Sequence, residues 1–504
     1  MANWINQITL NDHSTEHRYM QIYRQLKELI IGGGIVHGDR LPSVRQMAAH
    51  LKLNTVTVVK AYDLLEREKL VVKRTGSGTY VNDGKRTSLL TGIAEDEWDQ
   101  ESIQQFRQQQ QSFQRTVVIT ADTINFASAT PSPDLFPVDD FKQALLTVLD
   151  RDQGYAFGYQ DPQGYQPLRE AVRQQASLAG IHSDTDDILV VSGAQQGIDL
   201  VAKGLVYPGD TVLIERPSYG GAMQAFFSRS ARVTDIPLES DGIQLELLEK
   251  SVKETRPQLL YVMPNFQNPT GISYTREKME QIIMLSEKYD FMILEDDYLN
   301  ELSFHHQPVM TLKSLDRHDR VIYIKSFSKM FMPGLRLGYL IVPRAATQKL
   351  LAAKQSSDIS TSGLLQRALE QYLISGAWER NLDVLTEEYR KRFDLMTQHL
   401  RNQLPEGVHF QTPAGGLNFW LQMPREINGQ LLYESALERN LVFAPGRLFY
   451  LRDPEDNCLR LSIAAVKSQQ LTNGIRLLSG LMNLRLRLDR PMSDALIHYQ
   501  DPIL

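Results

Sequence analysis

The sequence predicts a small α+β head followed by a large α/β body, and three observations carry that division. Within the first 82 residues, three helical periodicities are followed by two short apolar strands joined through Gly76-Ser77. From about Ile124 onward, short apolar runs alternate with helical patterns, as in a mainly parallel sheet wrapped by helices. Between them, residues 83–122 are polar and include Gln104-Gln105-Phe106-Arg107-Gln108-Gln109-Gln110-Gln111, which reads as a tether of variable reach with a short helix around Gln100 to Arg115. The expected domains are 1–82, a linker over 83–122, and 123–504.

Composition narrows the classes. With 42% hydrophobic residues over 504 positions, the chain can bury a large core and is expected to be globular. A single cysteine, Cys458, leaves no disulfide framework and no thiolate metal cluster within one chain, so no metal site is expected and a reducing cytoplasm fits. The opening Met-Ala-Asn-Trp-Ile-Asn has no basic region followed by a long apolar stretch, so no signal peptide is expected. No uninterrupted apolar run approaches the ~20 residues of a membrane span, so no membrane partner is expected. The net charge of −6 hides an asymmetry: residues 1–82 carry 11 Lys and Arg against 7 Asp and Glu, and the remainder carries 43 against 53. A basic head on an acidic body suggests that the head meets a polyanion.

In the head, Met20, Ile22, Tyr23, Leu26, Leu29 and Ile30 recur at helical spacing until the glycines Gly32 to Gly34. Ser43 can cap a second helix whose Val44, Met47, Ala48 and Leu51 face inward, and Asn54 a third, from Thr55 to about Glu68, with Val58, Ala61, Leu64 and Leu65 on one face. Leu70-Val71-Val72-Lys73-Arg74 and Gly78-Thr79-Tyr80-Val81 then read as a hairpin. Three helices and a hairpin make a winged helix-turn-helix.

In the body, Ile188-Leu-Val-Val191, Thr211-Val-Leu-Ile214, Leu259-Leu-Tyr-Val262, Phe291-Met-Ile-Leu294 and Val321-Ile-Tyr-Ile324 read as buried strands. Chemistry-bearing residues follow their ends, where open α/β sheets bind ligands. Ser326-Phe-Ser328-Lys329, with Arg336 seven residues on, offers an amine that can form a Schiff base and a guanidinium fork that can grip a phosphate. Ser192-Gly193-Ala194-Gln195 can bring backbone N–H groups to a phosphate at a helix start. Tyr219, after Glu215-Arg216-Pro217-Ser218, suits a ring laid flat on a cofactor ring. Asn268, in a proline-stiffened turn, suits a donor to a phenolate oxygen. Asp296 suits a pyridine nitrogen, which a carboxylate keeps protonated so that the ring acts as an electron sink; alone it would equally suit Mg²⁺. Lys329, 33 residues after Asp296 and 61 after Asn268, favours the cofactor, pyridoxal phosphate.

Two resemblances extend this reading. The head resembles the DNA-binding domain of the GntR family, through Leu41-Pro42-Ser43 with Arg45, the third helix and the wing Gly76-Ser77-Gly78-Thr79-Tyr80-Val81. That implies a third helix in the major groove of double-stranded promoter DNA, with Arg45 on phosphate, Thr55 and Thr57 near base edges, Asn54 among the DNA-binding residues, and Lys73, Arg74 and Gly76 in the wing. Many relatives carry an arginine where this chain has Thr55. From Asn125 to Leu484 the chain resembles the fold type I pyridoxal phosphate enzymes, which implies a large mainly parallel-sheet domain and a smaller α+β C-terminal subdomain.

By that second resemblance Lys329 forms the internal aldimine, Asp296 partners the pyridine nitrogen and Asn268 contacts the ring oxygen. Tyr219 stacks on the ring, and Arg336, Ser326, Ser328, Ala194 and Gln195 hold the phosphate. Tyr159 reaches a partner's site, and Arg460, in Cys458-Leu-Arg460-Leu-Ser462, clamps a carboxylate. Such enzymes often place a tyrosine three residues after the aspartate; here position 299 is Leu and the tyrosine is Tyr298, assigned to the cofactor with the others. The two parts in this order resemble the MocR/GabR type of transcriptional regulators. That implies a cytoplasmic, domain-swapped homodimer whose body senses an amine or amino acid through an external aldimine. The alternative is a working aminotransferase with an accessory head.

Overall fold

A computed structural model describes residues 8, 10, 18–31, 35, 39–51, 53–67, 70–74, 78–81, 119–120, 122–304, 309–451 and 457–488. The expected glycine stop at 32–34, the hairpin turn with Gly76, and most of the 83–122 linker with its helix lie outside these residues. The chain divides into two compact units, Met1–Trp98 and Asp99–Leu504.

The first unit has α1 (Arg18–Ile31), α2 (Val44–Leu51) and α3 (Thr55–Arg67), then β1 (Val71–Arg74) paired antiparallel with β2 (Gly78–Val81). Helical periodicity sorts its core: Ile22 and Leu26 of α1, Met47 and Ala48 of α2, and Val58, Ala61, Tyr62 and Leu65 of α3 are all buried together. Tyr62 fits there because its hydroxyl donates to the Pro42 carbonyl at 2.8 Å. Both expected caps are present. Ser43 and Gln46 exchange side-chain and backbone bonds at the start of α2, and the Asn54 Oδ1 accepts the Thr57 N–H at 2.9 Å at the start of α3. Arg40 bridges to Tyr80, so the segment before α2 adds a third rung to the wing.

In the second unit, β3 (Ile124–Asn125) leads to a sheet of eight strands. These are β4 (Ile188–Val191), β5 (Thr211–Arg216), β6 (Arg232–Glu239), β7 (Gly242–Ile243), β8 (Leu259–Val262), β9 (Met292–Asp297), β10 (Val321–Ser326) and β11 (Gly338–Ile341), in the order β4-β11-β10-β9-β8-β5-β6-β7. The pairings from β10 through β9, β8 and β5 to β6 are parallel, while β11 runs antiparallel to both its neighbours. β4 and β8 have the bounds the apolar runs predict, and both are buried throughout. β9 and β10 run further than the apolar runs, so Asp296 and Ser326 sit inside strands rather than after them. β6 went unpredicted because its half-buried Arg-Val-Thr-Asp-Ile-Pro-Leu-Glu lacks a continuous apolar run.

A second sheet comprises β12 (His409–Phe410), β13 (Asn418–Gln422), β15 (Ala444–Pro445) and β16 (Cys458–Ser462), ordered β12-β13-β16-β15. It lies between the long helices Ala377–Gln403 and Ser468–Leu488 in the chain and forms the smaller subdomain. β14 (Leu441–Val442) pairs in parallel with β3, tying the start of the body to this subdomain. No helix among the described residues is long and apolar enough to cross a membrane.

Candidate functional site

The sheet brings the predicted body residues together at the ends of β4, β5, β8, β9 and β10. Lys329 ends the single turn Phe327–Lys329 that follows β10, and the Ser326 hydroxyl accepts the Ser328 N–H across the same turn. Burial, then the nearby Arg460 and Arg336 charges, pushes the Lys329 ammonium down to about 8, although Asp296 opposes them. An amine so displaced is a nucleophile near neutral pH.

Asp296 is buried on β9, and its Oδ2 accepts the Tyr261 hydroxyl at 2.7 Å. Its other oxygen, Oδ1, is buried with no hydrogen-bond partner. Burial is the main reason its carboxyl rises to about 6, with Asp297 adding to the rise while Tyr261 and Lys329 oppose it. An orphaned buried acceptor is costly unless something occupies it. A protonated ring nitrogen is a partner of the right sign.

The turn carrying Asn268 is organised by a buried carboxylate that the sequence reading passed over. Glu215 accepts from the Met263 N–H, the Tyr274 hydroxyl and the Gln267 side chain, and Gln267 in turn accepts from Thr270. Its carboxyl is pushed up to about 7, chiefly by burial. Held in this way, the Asn268 Oδ1 accepts from Arg460 Nη1 at 2.8 Å, which turns its NH₂ group into the available donor.

Arg460 itself stands on β16, only 7% exposed. Its Nη2 donates to the Ala127 carbonyl, its Nε is buried without a partner, and its guanidinium lies 5.2 Å from the centre of the Phe449 ring. Among the described residues no carboxylate pairs with it. Burial lowers its pKa to about 10, a measure of how poorly the protein alone accommodates that charge.

The phosphate-binding candidates also converge. Gly193 has φ of +86° and opens the helix Ala194–Leu205; a Cβ there would fall 2.7 Å from the Arg336 guanidinium. Arg336, itself in the left-handed region at φ +51°, donates to the Ser192 carbonyl at 3.1 Å and reaches the Ser328 hydroxyl at 3.5 Å. The Tyr219 hydroxyl donates to Gln195 Oε1 at 3.1 Å, and Gln195 Nε2 donates to the Gly221 carbonyl. Thus the Gln195 side chain steadies Tyr219, leaving its backbone N–H at the helix start.

Two predicted residues stand apart. The Tyr298 hydroxyl donates to the Phe266 carbonyl and accepts from Asn418 Nδ2 at 3.0 Å, so it braces the turn before Asn268. Tyr159 is 84% exposed, beside an equally exposed Tyr155 and a largely exposed Phe157. Tyr261 was missed because it hides within an apolar run. The period-2 alternation of β8 against β9, where it pairs opposite Leu294, is the signal that puts it on the Asp296 face.

In the head, Arg45, Asn54 and Thr55 are exposed. The Thr57 hydroxyl turns back to Asn54 Oδ1 at 3.0 Å and completes the cap. The backbones of Lys73 and Arg74 pair with Thr79 and Gly78 in the wing, and Gly76 lies outside the described residues.

Comparison with known proteins accords with both halves. Residues 121–478 match the family model "Aminotransferase class I and II", and residues 18–81 match "Bacterial regulatory proteins, gntR family". The uncharacterized HTH-type transcriptional regulator YdfD of Bacillus subtilis is 31% identical over 91% of this chain and 95% of its own. The 2-aminoadipate transaminase of Thermus thermophilus is 34% identical over 70% of this chain and 88% of its own. Among solved structures, the α-aminoadipate aminotransferase LysN of Thermus thermophilus, complexed with N-(5'-phosphopyridoxyl)-L-leucine, superposes with a TM-score of 0.69 at 33% identity, covering 73% of this chain and 93% of that one. The orphaned Asp296 oxygen, the Lys329 amine with its lowered pKa and the Gly193 cradle fit the pyridoxal phosphate that this fold binds.

Proposed function

Since the chain belongs to the MocR-type regulators, a GntR-family winged helix-turn-helix joined to a pyridoxal phosphate-binding body of the class I and II aminotransferase family, we propose that its body is the sensor of a DNA-binding switch. The observation that carries this reading is the union, in one chain, of a GntR-family head and a site whose buried guanidinium meets no carboxylate among the described residues.

In this reading the cofactor supplies a carbonyl for amines and a ring that withdraws electrons. Lys329 would hold it covalently, and Asp296 Oδ1 would accept a hydrogen bond from the protonated ring nitrogen and keep it protonated, while Tyr261 fixes the carboxylate by its other oxygen. The Asn268 amide would donate to the ring oxygen, and Tyr219 would stack on the ring. The backbone of Ala194 and Gln195 holds the phosphate with Ser326, Ser328 and Arg336. With the cofactor bound, Lys329 would be the group that gives way to an effector amine, and Arg460 would select effectors that bear a carboxylate. The response reaches DNA through whichever body conformation the effector binds more tightly, and cannot exceed that difference in affinity. The exposed Tyr155, Phe157 and Tyr159 support a homodimer in which a second copy covers them.

The head reads promoter DNA, with Arg45 on phosphate and α3 in the major groove. The test is to add amino acids to the cofactor-loaded protein on DNA from upstream of its own gene, following anisotropy and visible absorbance together. K329A should lose both the absorbance of the lysine-bound cofactor and the effector response; a variant that still responds normally would overturn the scheme. An enzyme reading is favoured by one observation, the presence of every chemistry-bearing residue in a body 34% identical to a transaminase. Sustained release of an oxo acid with an amino-group acceptor would establish it.

A further inference from the structure

The outward face of α3 runs against the usual pattern for a surface helix. Val58, Ala61, Tyr62 and Leu65 fill the core, yet Val56 is 59% and Val59 38% exposed. Among the described residues of the head, no other large apolar side chain is exposed. With Lys60 they occupy positions i, i+3 and i+4, one stripe on the helix surface. β-Branched residues are indifferent helix formers, and here burial covers them only in part. Neither local structure nor packing explains them.

Exposed cations accompany them in the head. Thr55 and Lys60 flank them on α3, Lys60 Nζ stands 5.7 Å from the centre of the Tyr19 ring, and Arg45 is exposed on α2. The Thr57 hydroxyl, which could have read a base edge, is bonded to Asn54. At the position where many relatives place a guanine-reading arginine, this chain has Thr55. What α3 offers the groove, therefore, is mainly methyl groups.

Of the groups that base pairs display in the major groove, the thymine C5-methyl is the apolar one. A side chain with no donor or acceptor can distinguish bases there only by touching it. We propose that Val56 and Val59 read thymine C5-methyl groups, so that the operator is selected by apolar contact at thymine-bearing steps. This rests on the reading that α3 enters the major groove, and it deepens that reading by naming what α3 recognises.

The test removes the methyl and nothing else. An operator is recovered from random duplexes by repeated selection on the full-length, cofactor-loaded protein. Each dT is then replaced singly by dU, and affinity is measured at fixed near-physiological salt. At one or more positions the loss of the methyl should weaken binding about fourfold, the change expected for unburying one methylene-sized group.

At each methyl-sensitive position one of V56A and V59A should bind the dT and dU forms alike, whereas V56I should keep the discrimination. Both alanine changes lie on an exposed helix face and favour the helix, so folding is preserved. Affinity for scrambled DNA and its dependence on salt should stay as in the unaltered protein. If every dU operator binds as tightly as its parent, or if V56A and V59A both remain methyl-sensitive at the same position, polar contacts do the reading and the proposal is overturned. If selection recovers no operator, the DNA-reading premise fails and takes the proposal with it. That outcome is distinguishable, because the first two require a selectively bound operator.

Discussion

The two halves of this chain break the ordinary rule of burial in opposite directions. The body hides charge: Asp296 is 5% and Arg460 7% exposed, and each keeps a buried polar atom without a partner. The head leaves Val56 59% exposed on a helix that could have carried Lys or Glu. Burying a charged group without compensation is costly, while exposing a single valine costs little. On the proposed function, the body keeps unpartnered buried polar atoms for a small ligand of matching charge to meet, and the head keeps an exposed apolar surface for a large partner to cover. A sensor and a DNA reader divide in this way because one must recognise a few atoms tightly and the other many atoms loosely.

The sharpest way to break this comparison is to remove the Arg460 charge. Breaking a buried charge pair costs roughly 2–5 kcal/mol. R460A should therefore weaken a carboxylate-bearing effector by about two orders of magnitude, read as an absorbance titration of the cofactor-loaded protein. An amine without a carboxylate should lose far less. R460K, which keeps the charge but not the fork, should fall between. Equal binding of the carboxylate effector to R460A would mean that the buried charge merely props up Asn268 and Ala127.

A second test asks whether burying the Asp296 carboxyl is costly. The Asp296 carboxyl titrates at about 6 in the folded body, against an ordinary value of about 3.9. Between those values the folded cofactor-free protein holds more protons than the unfolded chain, so this group makes stability fall as pH rises. The gap corresponds to roughly 3 kcal/mol at 1.36 kcal/mol per pH unit. D296N removes the titration. The stability difference between the cofactor-free variant and the unaltered protein should shift in the variant's favour by about that amount between pH 4 and pH 7, measured by denaturant unfolding. The variant should also hold the cofactor more weakly. A difference that stays flat with pH would show that Asp296 carries no such cost.

What the sequence could and could not display follows the same divide. β4 and β8 were legible because a strand buried on both faces must be a continuous apolar run, and Lys329, Asp296 and Asn268 were legible from their spacing along such strands. β6 was not, because a half-covered strand spends half its positions on polar residues. Nor could spacing show how hydrogen bonds are shared out. Tyr261 holding Asp296, Glu215 and Gln267 holding the Asn268 turn, and Tyr298 bracing Phe266 depend on which acceptor is left over once every other group is satisfied. In the head, the caps were visible as residue types, but the Thr57 hydroxyl was assigned to DNA because sequence gives no direction to a side chain.

The smallest expected effect bears on whether the two halves are energetically separate. The Asn54 Oδ1 accepts from both the N–H and the hydroxyl of Thr57, closing the first turn of α3. N54A removes both bonds and should cost about 1 kcal/mol, whereas N54S should recover most of it. The loss should appear as faster amide exchange in the first turn of α3 and as weaker selective DNA binding, since Thr55 and Val56 lie on that turn. The absorbance of the cofactor in the body should not move. If it does, fraying one turn of the head is felt at Lys329, and the effector signal has a route that also runs backwards, because coupling between two binding sites is reciprocal.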